Sequence, residues 1–243
     1  MTASDNGAIE PTQQPDLRGR SVLITGAGDG LGAELARAAG AAGAEVILLG
    51  RTVAKLTAVF DAIVAAGGPD PAICPLDLEG ATPDDYADIA QRLGAQCGGL
   101  DGLVHNAAVL GPQTPIEHYP PLEWARTLQV NVTAPMLLTQ ALIPHLRAGR
   151  APAIIFLGEQ RRTAYWGAYG SSKAALAGLA DILRDELETE PGIRVETVDP
   201  GPLRTSLRAT AFPGELPDER PPPSAAVPRL LAALAGPAHG GGQ

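Results

Sequence analysis

Aromatic residues are scarce in this 243-residue chain: three Phe, four Tyr and two Trp make up 4% of it. Hydrophobic residues as a class reach 45%, so Ala, Leu and Val must fill the core. Cysteine is scarcer still. Cys74 and Cys97 stand in neither a metal-ligand nor a redox spacing, and two cysteines are no disulfide framework. They read as reduced thiols of a cytoplasmic protein, and no metal site is expected. Positive charge is also short: 18 Lys and Arg against 27 Asp and Glu leave a formal net charge of −9. That balance sets nucleic acid aside as a partner. No apolar run reaches the roughly 18 residues of a membrane helix, so no membrane partner is expected. The N-terminus lacks the basic and then apolar stretch of an export signal.

Glycine (29) and proline (23) are plentiful and punctuate the chain. The length suits one α/β domain. Short apolar runs at 21–25, 45–49, 72–76, 100–105, 153–157 and 193–198 alternate with helical patterns at 31–42, 51–66, 83–93, 121–147 and 168–188. Strands that are apolar throughout are covered on both faces, as in a parallel sheet. Right-handed crossovers then give a Rossmann-type, doubly wound α/β fold of six strands, with ligands at the C-terminal edge of the sheet. Residues 1–16 read as a flexible tail and 17–212 as the Rossmann domain. Residues 213–243 form a Pro/Gly-rich segment with a charge cluster read as solvated and one short helix at 227–235.

The chain is organised around Ser21-Val22-Leu23-Ile24-Thr25-Gly26-Ala27-Gly28-Asp29-Gly30-Leu31-Gly32. This is a strand, a glycine-rich turn and the start of a helix. Glycine lets a ligand approach the backbone closely, and a helix start offers free N–H groups and a positive dipole end to a pyrophosphate. The same pattern also fits an ordinary glycine-rich turn. At the end of the second strand, Leu49 is followed by Gly50, Arg51 and Thr52. No carboxylate is there to hold a ribose diol, whereas Arg51 can grip a phosphate. NADP(H) is therefore expected over NAD(H), although Asp29 adds a negative charge nearby.

Tyr169 and Lys173 are four residues apart on a strong helical pattern, and so share a face. An ammonium beside a phenol lowers its pKa from about 10, which fits proton exchange with an alcohol or carbonyl oxygen. Such pairs also arise by chance. Pro135 follows Asn131 by four residues. Without an N–H it cannot bond the Asn131 carbonyl, which is then free to hold a water; alternatively Pro135 only bends the helix.

With the glycine turn, these residues make the chain resemble the short-chain dehydrogenase/reductase family over residues 18–210. Thr25-Gly26-x-x-x-Gly30-Leu31-Gly32 matches the family's cofactor turn and Tyr169-x-x-x-Lys173 its catalytic pair. His105-Asn106-Ala107-Ala108 is similar to its Asn-Asn-Ala-Gly element, Asn131 to its helix asparagine, and Pro200-Gly201-x-x-x-Thr205 to the segment holding the nicotinamide. Asp77 and Leu78 match the positions flanking the adenine. Residues 166–173 and 204–213 look most like the YciK-type oxidoreductase subgroup. The resemblance implies hydride transfer between NADP(H) and a carbonyl or alcohol substrate. Tyr169 would be the acid/base, Lys173 would lower its pKa and bind the ribose, and Asn131 would hold a relay water. Trp166, Tyr165, Val109, Leu110 and Leu203 are expected to border the substrate pocket, pointing to an apolar substrate.

Two departures stand out. The family's serine after the fifth strand is missing, and Glu159 takes its place in a shorter loop. An ionised Glu159 would disfavour the phenolate and oppose a developing oxyanion. It could instead stay protonated and donate, Thr163 could swing in, or the protein could bind dinucleotide with little turnover, as a sensor or scaffold. The family's seventh strand is also missing. A homodimer through the 121–147 and 168–188 helices is therefore expected rather than a tetramer.

Overall fold

Six strands pair in parallel: β1 (Ser21–Thr25), β2 (Glu45–Gly50), β3 (Ala72–Pro75), β4 (Gly102–His105), β5 (Ala153–Leu157) and β6 (Arg194–Val198). Their spatial order is β3-β2-β1-β4-β5-β6. The computed structural model describes residues 15–187, 189 and 192–236. The tail expected at 1–16 lies outside these residues up to position 14, and so do 237–243. Helices α1 (Gly30–Ala41), α2 (Val53–Ala65) and α3 (Pro83–Gln96) follow the first three strands. Between β4 and β5 come α4 (Pro121–Leu128) and α5 (Ala134–Arg147), and α6 (Gly167–Leu187) precedes β6. The fold is the doubly wound one expected. Chain order reverses between β1 and β4, where such sheets open a crevice at their C-terminal edge.

Side-chain alternation along β1 builds both cores. Val22 and Ile24 join the layer under α1 and α2 with Leu35, Leu56 and Ile63. Leu23 joins the opposite layer under α3, α5 and α6 with Ile89, Leu142, Phe156 and Leu183. All five β1 residues are buried, which is why the run shows no polar alternation.

The single helix expected over 121–147 is divided. A π-type turn, Gln129–Thr133, separates α4 from α5, and the Ala134 N–H reaches back five residues to the Gln129 carbonyl. Pro135 has no N–H to give to the carbonyl four residues before it, and the wider turn accommodates that gap. The turn carries Asn131 inward, leaving it 2% exposed.

The C-terminal segment is a correction to the sequence reading. Its charge cluster is solvated only in part: Asp218 and Glu219 are exposed, whereas Glu215 is drawn in. After β6 the chain forms α7 (Ser206–Ala211), two 3₁₀ turns (Pro217–Glu219 and Pro223–Ala226) and α8 (Val227–Ala235). The Glu215 carboxylate takes hydrogen bonds from Arg208 Nε and Nη2 at 2.6 and 2.8 Å and from Arg220 Nε at 2.5 Å. The paired side chains of Arg208 and Glu215 are only 13% exposed. Helix α8 packs its Leu230 and Leu234 into the layer holding α1. The carbonyls at its end, which no helix can satisfy internally, accept from Arg20 and Arg194.

Among the described residues no helix is long and apolar enough to cross a membrane, and no group of three or more His, Cys, Asp or Glu is placed to hold a metal ion. Cys74 and Cys97 are free and half-buried.

Leu230 is fully buried, so Leu230→Ala will cost about 2–5 kcal/mol of stability, read from the urea midpoint at constant slope. A loss under about 1 kcal/mol, far below a core truncation, would separate α8 from the cooperative core.

Candidate functional site

The turn after β1 is held open by glycine. Gly26 and Gly30 have φ of +66° and +51°, values that side chains rarely allow. Gly32 answers a different need. A Cβ there would stand 2.3 Å from the Gly26 carbonyl oxygen and 2.5 Å from Asn106 Nδ2, so only glycine lets α1 start this close to the turn. Asp29 caps α1, accepting the Gly30 N–H at 2.7 Å. Its other oxygen binds Lys55 Nζ at 2.5 Å. The hydrogen bond from the Lys55 ammonium holds the Asp29 carboxyl below its usual range. The unfavourable charge noted for Asp29 is thus neutralised by a residue the sequence reading passed over. A basic residue in the first turn after β2 was the available signal.

A crevice of about 410 Å³ lies over the C-terminal edge of the sheet. Gly26, Gly28, Asp29, Gly30 and Leu31 line it from the turn after β1, and Arg51 and Thr52 from beyond β2. Asp77 and Leu78 contribute after β3, and Asn106, Ala107 and Ala108 after β4. Glu159, Tyr169 and Lys173 line it from β5 and α6, and Pro200, Gly201, Leu203 and Thr205 after β6. Two expected residues, Gly32 and Asn131, do not line it. Of the expected pocket border, Trp166, Val109 and Leu203 face the crevice. Tyr165, with φ of +70°, lines a neighbouring depression instead, and Leu110 is not among the lining residues.

Loops are tied to one another beneath the crevice. Thr25 Oγ1 accepts the backbone N–H groups of Asn106 and Ala107, both at 3.0 Å, and donates to the Val104 carbonyl at 3.2 Å. Asn106 Nδ2 donates to the carbonyls of Thr25 and Gly26. Asn131 clasps Val109 through both amide functions at 2.9 Å, and its Nδ2 also reaches Ser172 Oγ at 3.0 Å. His105 is buried, stacked on Phe156 and bonded to Thr139. Burial pushes its pKa down to about 3, so it is a neutral core residue.

At the other end of the crevice Tyr169 is 4% exposed. Its hydroxyl donates to Glu159 Oε2 at 2.6 Å, and Arg161 Nε donates to Glu159 Oε1 at 2.6 Å. Glu159 therefore stands beside the phenol and accepts hydrogen bonds there, where a serine would offer one. The phenol is not made more acidic, contrary to the expectation for Tyr169. Burial first, then the Glu159 charge and hydrogen bond, push its pKa well above the usual phenol range, against a smaller opposing effect of Arg161. Lys173 Nζ lies 5.7 Å from the centre of the Tyr169 ring and donates to the Leu157 carbonyl at 2.8 Å. Burial lowers the ammonium to about 8, with Glu159 and Asp199 opposing.

The cations around this end were also missed. The Arg161 guanidinium lies over the Trp166 ring, 4.9 Å from its centre. Arg208 lies 4.2 Å from the centre of Phe212, and both Arg208 and Phe212 line the crevice. Arginine followed by an aromatic residue four positions later on a helical pattern was a weak signal for that stack.

Comparison with known proteins agrees with this architecture. The family model described as short chain dehydrogenase matches residues 20–216. The chain is 40% identical over 223 residues to the uncharacterized oxidoreductase YciK of Escherichia coli K12, covering 90% of this chain and 87% of that protein. The structure of a short chain dehydrogenase from Pseudomonas syringae superposes with a TM-score of 0.90 at 43% identity, over 94% of this chain and 93% of that one. One from Shigella flexneri, complexed with NADP, gives 0.88 at 38% identity over 91% and 93% of the two chains. One from E. coli CFT073, complexed with NADPH, gives 0.88 at 39% identity over the same shares. The chain belongs to the short-chain dehydrogenase family, with YciK-type oxidoreductases among its relatives.

Proposed function

We propose that this protein is an NADP(H)-dependent oxidoreductase that interconverts a carbonyl compound and its alcohol. The observation that carries the reading is one crevice bordered at one end by the glycine turn with Arg51 and Lys55, and at the other by the buried Tyr169 and Lys173. The residues fit a dinucleotide. The turn takes glycine where Cβ atoms would press on the neighbouring backbone, and the start of α1 favours a pyrophosphate. Arg51 has no hydrogen-bond or ion-pair partner among the described residues, which leaves its planar fork for a 2′-phosphate. Asp77 and Leu78 would flank the adenine. Asn106, Ala107, Ala108, Pro200, Gly201, Leu203 and Thr205 would border the rest, and Lys173 would hold ribose hydroxyls.

Bound there, the nicotinamide supplies the hydride chemistry. The chain's own part is to orient the substrate oxygen toward Tyr169, which gives or takes the proton. Trp166, Val109 and Leu203 give the substrate an apolar wall. A second reading, a dinucleotide-binding protein with weak turnover, is favoured by one observation: the phenol already donates its proton to Glu159. A cytoplasmic location suits the reduced cysteines. A homodimer through α4–α5 and α6 is supported by Leu122, Met136 and Ile182, which are 85%, 39% and 57% exposed on those helices.

NADPH will quench intrinsic fluorescence more tightly than NADH. Arg51→Ala will weaken NADPH about ten- to a hundredfold, the worth of a charge-assisted hydrogen bond, and leave NADH nearly unchanged. Equal weakening of both would overturn the phosphate assignment. NADPH oxidation across a panel of apolar aldehydes and ketones decides between the two readings, since binding with no turnover supports the second.

Sedimentation at micromolar concentration will give a dimer, and Ile182→Glu will give a monomer. A wild-type monomer refutes the helix-paired interface.

A further inference from the structure

Tyr169 needs somewhere to send a proton when an alcohol is oxidised, or to recover one when a carbonyl is reduced. The structure offers an unusual place. Glu159 Oε2 is already in hydrogen-bond contact with the phenol at 2.6 Å, and the Glu159 side chain is 28% exposed, so it also meets solvent. Among the described residues no other side chain hydrogen-bonds the phenol oxygen. Lys173 Nζ donates to the Leu157 carbonyl, and the Asn131 side chain is taken up by Val109 and Ser172.

We propose that Glu159 is the proton outlet of Tyr169. This rests on the oxidoreductase reading above and adds the route of the proton. In alcohol oxidation, the substrate O–H bond breaks and its proton bonds to the phenolic oxygen. In the same event the phenol O–H bond breaks and that proton bonds to Glu159 Oε2. The carbinol C–H electron pair leaves as hydride to the oxidised nicotinamide, and the C=O double bond forms. One alcohol, one oxidised nicotinamide and one Glu159 carboxylate become one carbonyl, one reduced nicotinamide and one Glu159 carboxylic acid. Water at the exposed side of Glu159 then takes the proton. Reduction runs the same transfers backwards. No free phenolate forms at any stage, which suits a hydroxyl whose burial and neighbours oppose its ionisation.

The surrounding charges fit an outlet. From the loop after β5, Arg161 binds Oε1 at 2.6 Å and keeps the carboxylate oriented. From α6, Lys173 faces both Tyr169 and Glu159; from the loop after β6, Asp199 faces Tyr169 and Lys173; from α7, Arg208 faces Glu159. Arg208 is itself held by Glu215, so Arg161 is the cation in direct contact with Glu159. A serine at this position would hydrogen-bond the substrate oxygen but could not store a proton.

The test compares wild type with Glu159→Gln, which keeps an oxygen acceptor beside the phenol but takes up no proton, and with Glu159→Ser. NADPH affinity by fluorescence serves as the check that each variant is folded. In wild type, alcohol oxidation falls at acid pH as a carboxylate is protonated. In Glu159→Gln that acid limb disappears and kcat drops about a hundredfold or more, the usual contribution of a positioned acid or base, while KM changes little. A second readout needs no substrate. The ultraviolet phenolate signal of Tyr169, identified among the four tyrosines by its loss in Tyr169→Phe, will titrate at lower pH in Glu159→Gln than in wild type, because the carboxylate charge is gone. Wild-type kcat and acid limb in Glu159→Gln overturn the proposal, and so does an unchanged phenol titration. If wild type binds NADPH but turns over no substrate, the oxidoreductase reading fails and the outlet proposal with it. Turnover in wild type together with an unaffected Glu159→Gln removes the outlet alone.

Discussion

The Thr25 hydroxyl is the interaction on which the rest of the site depends. It has one proton and two acceptor lone pairs, and all are used: the proton on the Val104 carbonyl, the lone pairs on the Asn106 and Ala107 N–H groups. Asn106 returns its side-chain amide to Thr25 and Gly26. The turn after β1 and the loop after β4 are therefore one unit. That loop is gripped at Val109 by Asn131, Asn131 reaches Ser172, and Ser172 Oγ donates to the Tyr169 carbonyl at 2.7 Å. A chain of hydrogen bonds thus runs from the glycine turn to the helix that carries the phenol. Leaving one buried partner unsatisfied costs about 1–3 kcal/mol, so the two ends of the crevice are positioned together rather than separately.

That coupling explains the π-type turn. A regular helix over 121–147 would turn successive residues by a constant angle. The wider turn lets Asn131 face the β4 loop and α6 at once while Pro135 withholds its N–H. The relay role read from the resemblance concerns the Asn131 carbonyl. The side chain has a separate task, which is to hold Val109 and Ser172 in place.

What the sequence made legible is what depends on local pattern. Six runs gave the strands to within a residue or two, although only the inner strands are covered on both faces; the edge strands β3 and β6 are half-exposed, and β6 carries Arg194 and Glu196. The glycine turn and the Tyr169–Lys173 pair were legible because spacing alone puts them on one edge and one face. The Glu159 contact was legible only as a position in a loop, and its 2.6 Å hydrogen bond to Tyr169 needed coordinates. Lys55 on Asp29 spans 26 positions. No periodicity reports such a pair. In the charge cluster after α7, where Asp218 and Glu219 are exposed as expected, the covered Glu215 was missed for a related reason. Prolines and charges look solvated when each is counted alone, but Glu215 meets Arg208 and Arg220 from separate turns and the group closes on itself.

The replacement of serine by Glu159 cannot be weighed without that C-terminal cluster. A lone carboxylate against a buried phenol would be repelled from any oxyanion forming there. Here Arg161 binds the carboxylate and lies against Trp166 and, at 5.7 Å from its ring centre, Phe212. Phe212 is in turn covered by Arg208, which Glu215 anchors. Arg161 and Arg208 thus both lie near one aromatic ring, Phe212. The segment that contributes no strand to the sheet brings Arg208 and Phe212 to the end of the crevice where Glu159 meets the phenol. A serine there would carry no charge to offset, whereas the Glu159 carboxylate is met directly by Arg161.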